Sequence, residues 1–201
     1  DTDKTWDIVN TLRVGAMQKA PYFGVATDDT HHYYVTEGDC IVGRGWIVVR
    51  AEELSTPAIL ASLQAGDFYA STGVELQEVN YDADKGAYTV EVAPEEGANY
   101  TIVFYGTMKD YDRTTKTVDV PDFKGEKQRP TIQYSKDVGC VLAEVHGTKA
   151  VYKMTGNELY VRAVVISDKS MKYPLANYPS NQRAWCQPVG WQKWVKAKDG
   201  Q

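Results

Sequence analysis

The stretch "VELQEVNYDADKGAYTVEV", residues 74–92, contains two runs in which apolar and polar residues alternate. Between the runs lies "DADKG", a cluster of turn-forming residues. Alternation with a period of two is typical of strands that have one buried face, and the turn cluster predicts that the two strands form a hairpin. This stretch therefore indicates antiparallel β structure.

The same pattern continues towards the C-terminus. Alternating segments follow one another, separated by turn segments such as "PEEGAN" and "TGNE": they are "YTIVFYG", "KTVDV", "TIQY", "CVLAEV", "AVYKM" and "LYVRAVVI". Short strands at near-regular spacing with no helix between them predict an antiparallel β-sandwich. The 14 tyrosines against 4 phenylalanines agree, because half-buried sheet positions suit a ring with one wet end. We assign residues 74–201 to this domain.

The pattern upstream of residue 74 is different. Residues 5–18 carry apolar side chains at helical spacing, and "YFGVA", residues 22–26, predicts a short buried strand. Residues 45–72 predict a strand, a helix with Pro57 in its first turn and Gly66 at its end, and a second strand. Alternating helices and strands are typical of a parallel barrel or sheet, in which chemistry collects at the carboxyl ends of the strands. The predicted fold class is therefore α+β.

Composition excludes several classes of protein. Hydrophobic residues make up 43% and charged residues 24% of the chain, which argues against disorder. A net charge of −5 with scattered Lys and Arg disfavours nucleic acid as a partner. No apolar run approaches the roughly 20 residues that span a bilayer, so no membrane partner is expected. The three cysteines lie far apart, which is weak evidence against a disulfide framework, and the compartment is not indicated.

The most polar stretch is "ATDDTHHYY", residues 26–34, which follows the predicted strand at 22–26. Asp29 and His31 are two residues apart at the end of that strand, where alternate side chains point the same way and can share one metal ion. Imidazole suits zinc, iron or manganese, and a carboxylate can hold a metal-bound water. Asp28 and His32 point to the other face and are predicted to support the two ligands. On spacing alone, a metal site and a polar turn both stay open.

Three segments resemble a known family: "WDIVNTLRV", "YFGVATDDTHHY" and "GRGWIVVRAEELSTPAILASLQAGDFYASTG". They are similar to the closing part of the polymerase and histidinol phosphatase (PHP) superfamily of metal-dependent phosphoesterases. In that family the last metal-binding motif is an Asp-x-His near the end of a distorted βα barrel, and one branch carries a C-terminal β-sandwich. The resemblance covers most of the chain and implies that residues 1–73 are the end of such a barrel, with Asp29 and His31 on the two ligand positions.

The resemblance also implies an activity. Divalent zinc, manganese or iron ions would activate a water that hydrolyses a small phosphate ester. Asp29 would be a metal ligand that also takes a proton from this water and is thus catalytic, and His31 would be a terminal ligand. Arg44 and Arg50 are candidates to contact the substrate phosphate, and the competing interpretation, which we favour for each, is a structural salt bridge.

One part of the family pattern is missing. The family's site begins with a His-x-Asp-x-His motif, whereas this sequence contains only His31, His32 and His146. We therefore expect the chain to be the C-terminal portion of a longer protein and inactive alone, and whether it retains metal by itself stays open. Its expected partner is the missing barrel portion or a second copy of the chain.

A different function is also compatible with the sequence. The β-sandwich could be a binding or interaction module for a carbohydrate or a protein, without catalysis. The candidate stacking residues of such a module are either Tyr33 and Tyr34, beside the polar stretch, or Trp185, Trp191 and Trp194, near the C-terminus. The competing interpretation, which we favour, is that Trp185 packs into the sandwich while Trp191 and Trp194 cover an edge or the junction with the barrel.

Overall fold

The computed structural model describes residues 2–31, 33–34, 41–122, 125, 127–174 and 180–196. Of the described residues, 42% lie in strands and 16% in helices. The helices are α1 (Thr2–Thr11), which continues into a π-helical turn at Leu12–Ala16, α2 (Thr56–Ala65), and a 3-10 turn at Gln192–Trp194. The strands are β1 (Trp46–Val49), β2 (Phe68–Ser71), β3 (Leu76–Asp82), β4 (Ala87–Val92), β5 (Tyr100–Met108), β6 (Thr115–Pro121), β7 (Gln128–Tyr134), β8 (Cys140–His146), β9 (Lys149–Lys153), β10 (Glu158–Ser170) and β11 (Asn181–Cys186).

The strands form two packed sheets and a separate ribbon. The large sheet has the order β1-β2-β11-β10-β5-β8, the small sheet has the order β3-β4-β9, and β6 pairs with β7. Side chains from both sheets share one core, which includes Val90 of β4, Phe104 of β5 and Val161 of β10. Two sheets that pack face to face in this way have the arrangement of a β-sandwich.

The hairpin predicted from residues 74–92 is confirmed. β3 and β4 pair antiparallel, with Asp82 opposite Ala87 at the turn. Tyr88, Val90 and Val92 are buried at alternate positions of β4, because successive side chains of a strand point to opposite faces. Each of the other alternating segments also overlaps a strand, from β5 to β10.

The predicted α+β class, with terminal elements of a PHP-type barrel, is wrong. β1 pairs with β2 and β2 pairs with β11, in both cases antiparallel, so these strands extend the large sheet instead of forming a parallel barrel. Residues 22–26 form no strand. The peptide of Gly24 instead exchanges two hydrogen bonds of 2.8 Å with the side chain of Gln187, which satisfies backbone groups that a barrel strand would pair with neighbours. Strands from both sides of residue 73 share one sheet, and the division into domains at that residue stays a prediction.

The helix signals between β1 and β2 are confirmed. Ser55 caps α2 by accepting a hydrogen bond from the backbone of Ala58, and Pro57 lies in the first turn. Gly66 ends the helix with a φ of 81°, a left-handed conformation that glycine adopts without a steric penalty. No helix in the described ranges is both long enough and apolar enough to cross a bilayer.

A buried ion pair docks α1 onto the large sheet. Arg162 of β10 donates to the carboxylate of Asp7 through Nε at 2.7 Å and through Nη2 at 2.6 Å. The guanidinium lies between the rings of Trp6 and Tyr105, 4.8 Å from each centroid. Arg162 alternates along β10 with Val161, which faces the sandwich core, so α1 covers the opposite face of the sheet.

Candidate functional site

The candidate site is a cleft of about 610 Å³ on the α1 side of the large sheet. Its walls include Trp6 of α1, Trp185 of β11 and the segment that carries Asp28 and Asp29. Arg44, which lies just before β1, also lines it. The cleft therefore brings the predicted polar stretch together with residues from both ends of the chain.

The segment that leads into the site is tied to α1. Asn10 forms two hydrogen bonds with the peptide of Tyr22, donating to its carbonyl at 3.1 Å and accepting from its N–H at 2.8 Å. The indole N–H of Trp6 donates to the same carbonyl at 2.8 Å. Because Gly24 is also bound to Gln187, the start of the segment is fixed on two sides.

Asp28 joins this segment to the residues before β1. Its carboxylate accepts three backbone hydrogen bonds, from Gly43 at 2.9 Å, from Arg44 at 2.6 Å and from Gly45 at 2.7 Å. Desolvation raises the pKa of Asp28, but the hydrogen bonds from Gly45, Gly43 and Arg44 together outweigh it and hold the pKa below its ordinary value. Asp28 thus fixes the position of the next residue, Asp29. The assignment of Asp28 as a residue that supports metal ligands stays a prediction.

Asp29 and His31 lie side by side in solvent. Their side chains are 83% and 66% exposed, and His31 Nδ1 is 3.9 Å from a carboxylate oxygen of Asp29. The same Nδ1 is 2.7 Å from the backbone carbonyl oxygen of Asp29. Because a carbonyl oxygen can only accept, Nδ1 carries the proton, and Nε2 of the neutral ring keeps its lone pair. Metal-ligating histidines commonly donate their other ring N–H in this way.

The backbone of Asp29 is also unusual. Its φ is 51°, in the left-handed region that few residues other than glycine adopt, although Asp tolerates it better than most. Residues held in such conformations are concentrated at functional sites. This conformation places the carboxylate beside the imidazole two residues later.

We compared these donors with the needs of the metal ion that the family resemblance implies. Asp29 and Nε2 of His31 supply two donors, whereas zinc needs four and other divalent ions need up to about six. In the part of the chain that the structure describes, no group of three or more His, Cys, Asp or Glu residues could hold a metal ion. His32, the other predicted supporting residue, lies outside the described residues. The pair alone therefore does not make a metal site.

Arg44 is a cation placed for an anion. Its side chain is buried, with the residue 8% exposed, and it lines the same cleft as Asp29. Only its backbone N–H is engaged, with Asp28, and within the described ranges its guanidinium forms no hydrogen bond or ion pair. A guanidinium that lines a cleft and has no ion-pair partner among the described residues can bind a phosphate or carboxylate group through charge-assisted hydrogen bonds.

The sequence did not predict that Trp6 and Trp185 line the same cleft. Trp6 and Trp185 are both held by their N–H groups, Trp6 on Tyr22 and Trp185 on the carboxylate of Asp3 at 3.2 Å. Trp6 had a signal, since it lies three residues after Asp3 and so shares a face of α1 with it. Trp194 instead donates to the Glu158 carbonyl at 2.7 Å, and both Trp191 and Trp194 pack against the cluster of Val14, Leu159 and Tyr160.

Comparison of the chain with protein-family models, with curated proteins and with solved structures finds no match. The resemblance to the PHP superfamily thus stays a prediction that rests on the quoted segments. The functional assignment depends on the geometry of the cleft.

Proposed function

We propose that this chain contributes one end of the metal site of a metal-dependent phosphoesterase. Asp29 and His31 are two of the metal ligands, and Arg44 binds the phosphate of the substrate. The observation that carries the proposal is the contact between the two residues: Nδ1 of His31 lies 2.7 Å from the Asp29 carbonyl oxygen and 3.9 Å from its carboxylate, and a donated Nδ1–H leaves the lone pair of Nε2 for a metal ion.

Each residue has a defined task in this proposal. Asp29, His31 and further donors would hold a zinc, manganese or iron ion, which would supply activation of a water and neutralisation of phosphate charge. Asp29, which is exposed and close to His31, accepts a proton from the attacking water. Arg44 positions the phosphate through charge-assisted hydrogen bonds. Asp28 keeps the loop in place through its three backbone contacts.

The proposal requires further donors. Two ligands bind a divalent ion weakly, so the complete site needs about two to four donor atoms from residues beyond those described or from another polypeptide. The chain alone is therefore expected to bind metal weakly and to turn over no phosphate ester.

The position of the metal can be tested on the chain itself. Titration with Mn²⁺, followed by NMR, should broaden the signals of residues near Asp29 and His31 first, because paramagnetic broadening falls steeply with distance. Asp29→Asn and His31→Gln should each abolish this selective broadening. His146→Gln is the matched control, because His146 is exposed and lies 3.7 Å from a carboxylate oxygen of Glu144 at a different place. Broadening that is centred on His146, or that survives both site substitutions, would exclude the proposed ligands.

The activity is tested with the protein isolated from its natural source. We expect hydrolysis of p-nitrophenyl phosphate or its diester that depends on a divalent ion. Asp29→Asn should lower kcat/KM at least about 100-fold, because loss of even a residue that supports a metal ligand costs about 10–100-fold. Arg44→Ala should act mainly by raising KM, since Arg44 is proposed to bind the phosphate. Metal-dependent turnover that is unchanged in Asp29→Asn would refute the assignment.

A further inference from the structure

β1 is an edge strand of the large sheet, and no strand of the described residues pairs with its outer side. In the described part of the chain, its only strand partner is β2. Arg50 donates its backbone N–H to Asp67 at 2.9 Å, which continues the β1–β2 ladder by one pair. Hydrogen-bonded pairs alternate along an antiparallel ladder, so Trp46 and Val48 bond to β2. The N–H and C=O groups of Ile47 and Val49 therefore point to the open edge.

The sequence of β1 does not protect this edge. Edge strands normally carry charges, prolines or irregularities that block pairing with another strand. The other edge strands of the described chain carry such residues: Glu144 in β8, Glu78 in β3, Lys153 in β9, Lys116 in β6 and Pro130 in β7. β1 reads "WIVV" and has none within the strand. The charged residue that follows it, Arg50, donates its side chain to the Val79 carbonyl of the same chain at 2.6 Å.

The side chains beside the open edge are apolar and exposed. Trp46 and Val48, which project from the same face of β1, are 40% and 38% exposed. α2 follows β1 and has no buried residue, and its Leu60 is 51% exposed. An apolar strand edge of this kind is characteristic of an interaction site.

We propose that two copies of this chain pair through their β1 strands, antiparallel and about a two-fold axis at Val48. In this register Ile47 lies opposite Val49 of the partner subunit and Val49 lies opposite Ile47 of the partner subunit. The outward N–H and C=O groups of both copies then form four hydrogen bonds, and the two large sheets become one continuous sheet. A strand that pairs with itself in this way needs no other partner, and closed two-fold dimers are the commonest assemblies.

The side chains are compatible with this register. The two Val48 side chains meet at the axis, where the closely spaced pairs of an antiparallel ladder lie about 4.5 Å apart between Cα atoms. Trp46 lies opposite Arg50 of the partner subunit, so the charged residue at each end of the pairing meets an aromatic residue and not a second cation. No like charges oppose each other across the axis.

Sedimentation or light scattering over about 5 to 200 µM tests the pairing, a range suited to a small interface. The mass of the wild-type chain should rise with concentration from 22.5 kDa towards twice that value. Val48→Lys places two like charges at the axis. Val49→Pro removes an outward N–H but no hydrogen bond to β2. Each substitution should raise the dissociation constant of the dimer at least about tenfold. Val151→Lys is the matched control, because Val151 is an exposed valine (55%) on the edge strand β9, and it should leave the dimer unchanged.

Amide hydrogen exchange identifies the interface. The N–H groups of Ile47 and Val49 should exchange at least about tenfold more slowly at high concentration than at low concentration, if they bond across the dimer. A monomer at every concentration, or a dimer in which these two amides stay unprotected, would overturn the proposal. Thermal unfolding of each variant shows that a loss of dimer is not a loss of fold.

Discussion

Replacing Asp7 with alanine should destabilise the fold strongly. The substitution leaves Arg162, whose side chain is 1% exposed, buried without its carboxylate. It removes the hydrogen bonds of 2.7 and 2.6 Å from Arg162 and that of 2.9 Å from the Tyr160 hydroxyl. Removing one partner of a buried ion pair costs about 3–5 kcal/mol, because an uncompensated charge stays buried. We expect the free energy of unfolding to fall by about this amount.

Urea unfolding at neutral pH measures the loss. With a slope of about 2 kcal/mol/M, the midpoint should fall by roughly 1.5–2.5 M. The control is Lys85→Ala, which removes the 2.9 Å ion pair with Asp82. Lys85 is 75% exposed, so water screens this pair and the change should leave the urea midpoint almost unchanged. If Asp7→Ala costs no more than the control, the ion pair does not hold α1 on the sheet.

Three further predictions follow from buried or hydrogen-bonded groups. The pKa of Asp28 lies below its ordinary value of 3.8, so the ionised carboxylate stabilises the fold fully above pH 3.8. This stabilisation is lost as the pH falls through the lower pKa of the folded state. The melting temperatures of wild type and Asp28→Asn should therefore differ at neutral pH and converge in acid. Glu158→Gln should reduce the free energy of unfolding by about 2–3 kcal/mol in urea, because this buried carboxylate accepts from Tyr152, Thr155 and Gly156, and an unchanged midpoint would count against that role. Burial raises the pKa of Cys186 to about 12, so a thiol reagent should modify it, by mass spectrometry, only after unfolding; rapid modification of the native chain would contradict its burial.

The strands after residue 73 could be predicted because their signal is local. Alternation and turn residues lie within each hairpin, as at β3 and β4. β11 was missed because its sequence, "NQRAWC", starts with polar residues and its pairing with β2 and β10 joins distant parts of the chain. Residues 22–26 were wrongly predicted as a strand because an apolar run does not reveal that its partner is the side chain of Gln187.

The same distinction applies to the candidate site. Asp29 and His31 are two residues apart, so their proximity could be read from the sequence. The role of Asp28 could not, because it depends on backbone groups 15 to 17 residues away. Tertiary packing alone determines that Arg44 is buried. It also brings Asp7 and Arg162, 155 residues apart, together as an ion pair.

The metal content of the protein isolated from its natural source, measured together with its intact mass, tests the central claim most directly. We predict at least one transition-metal ion per chain, in a polypeptide heavier than 22.5 kDa or in a complex that supplies the remaining ligands. Asp29→Asn should lose this metal. A metal-free protein of 22.5 kDa would contradict the account, because Asp29 and His31 would then be an exposed polar turn and not one end of a catalytic site.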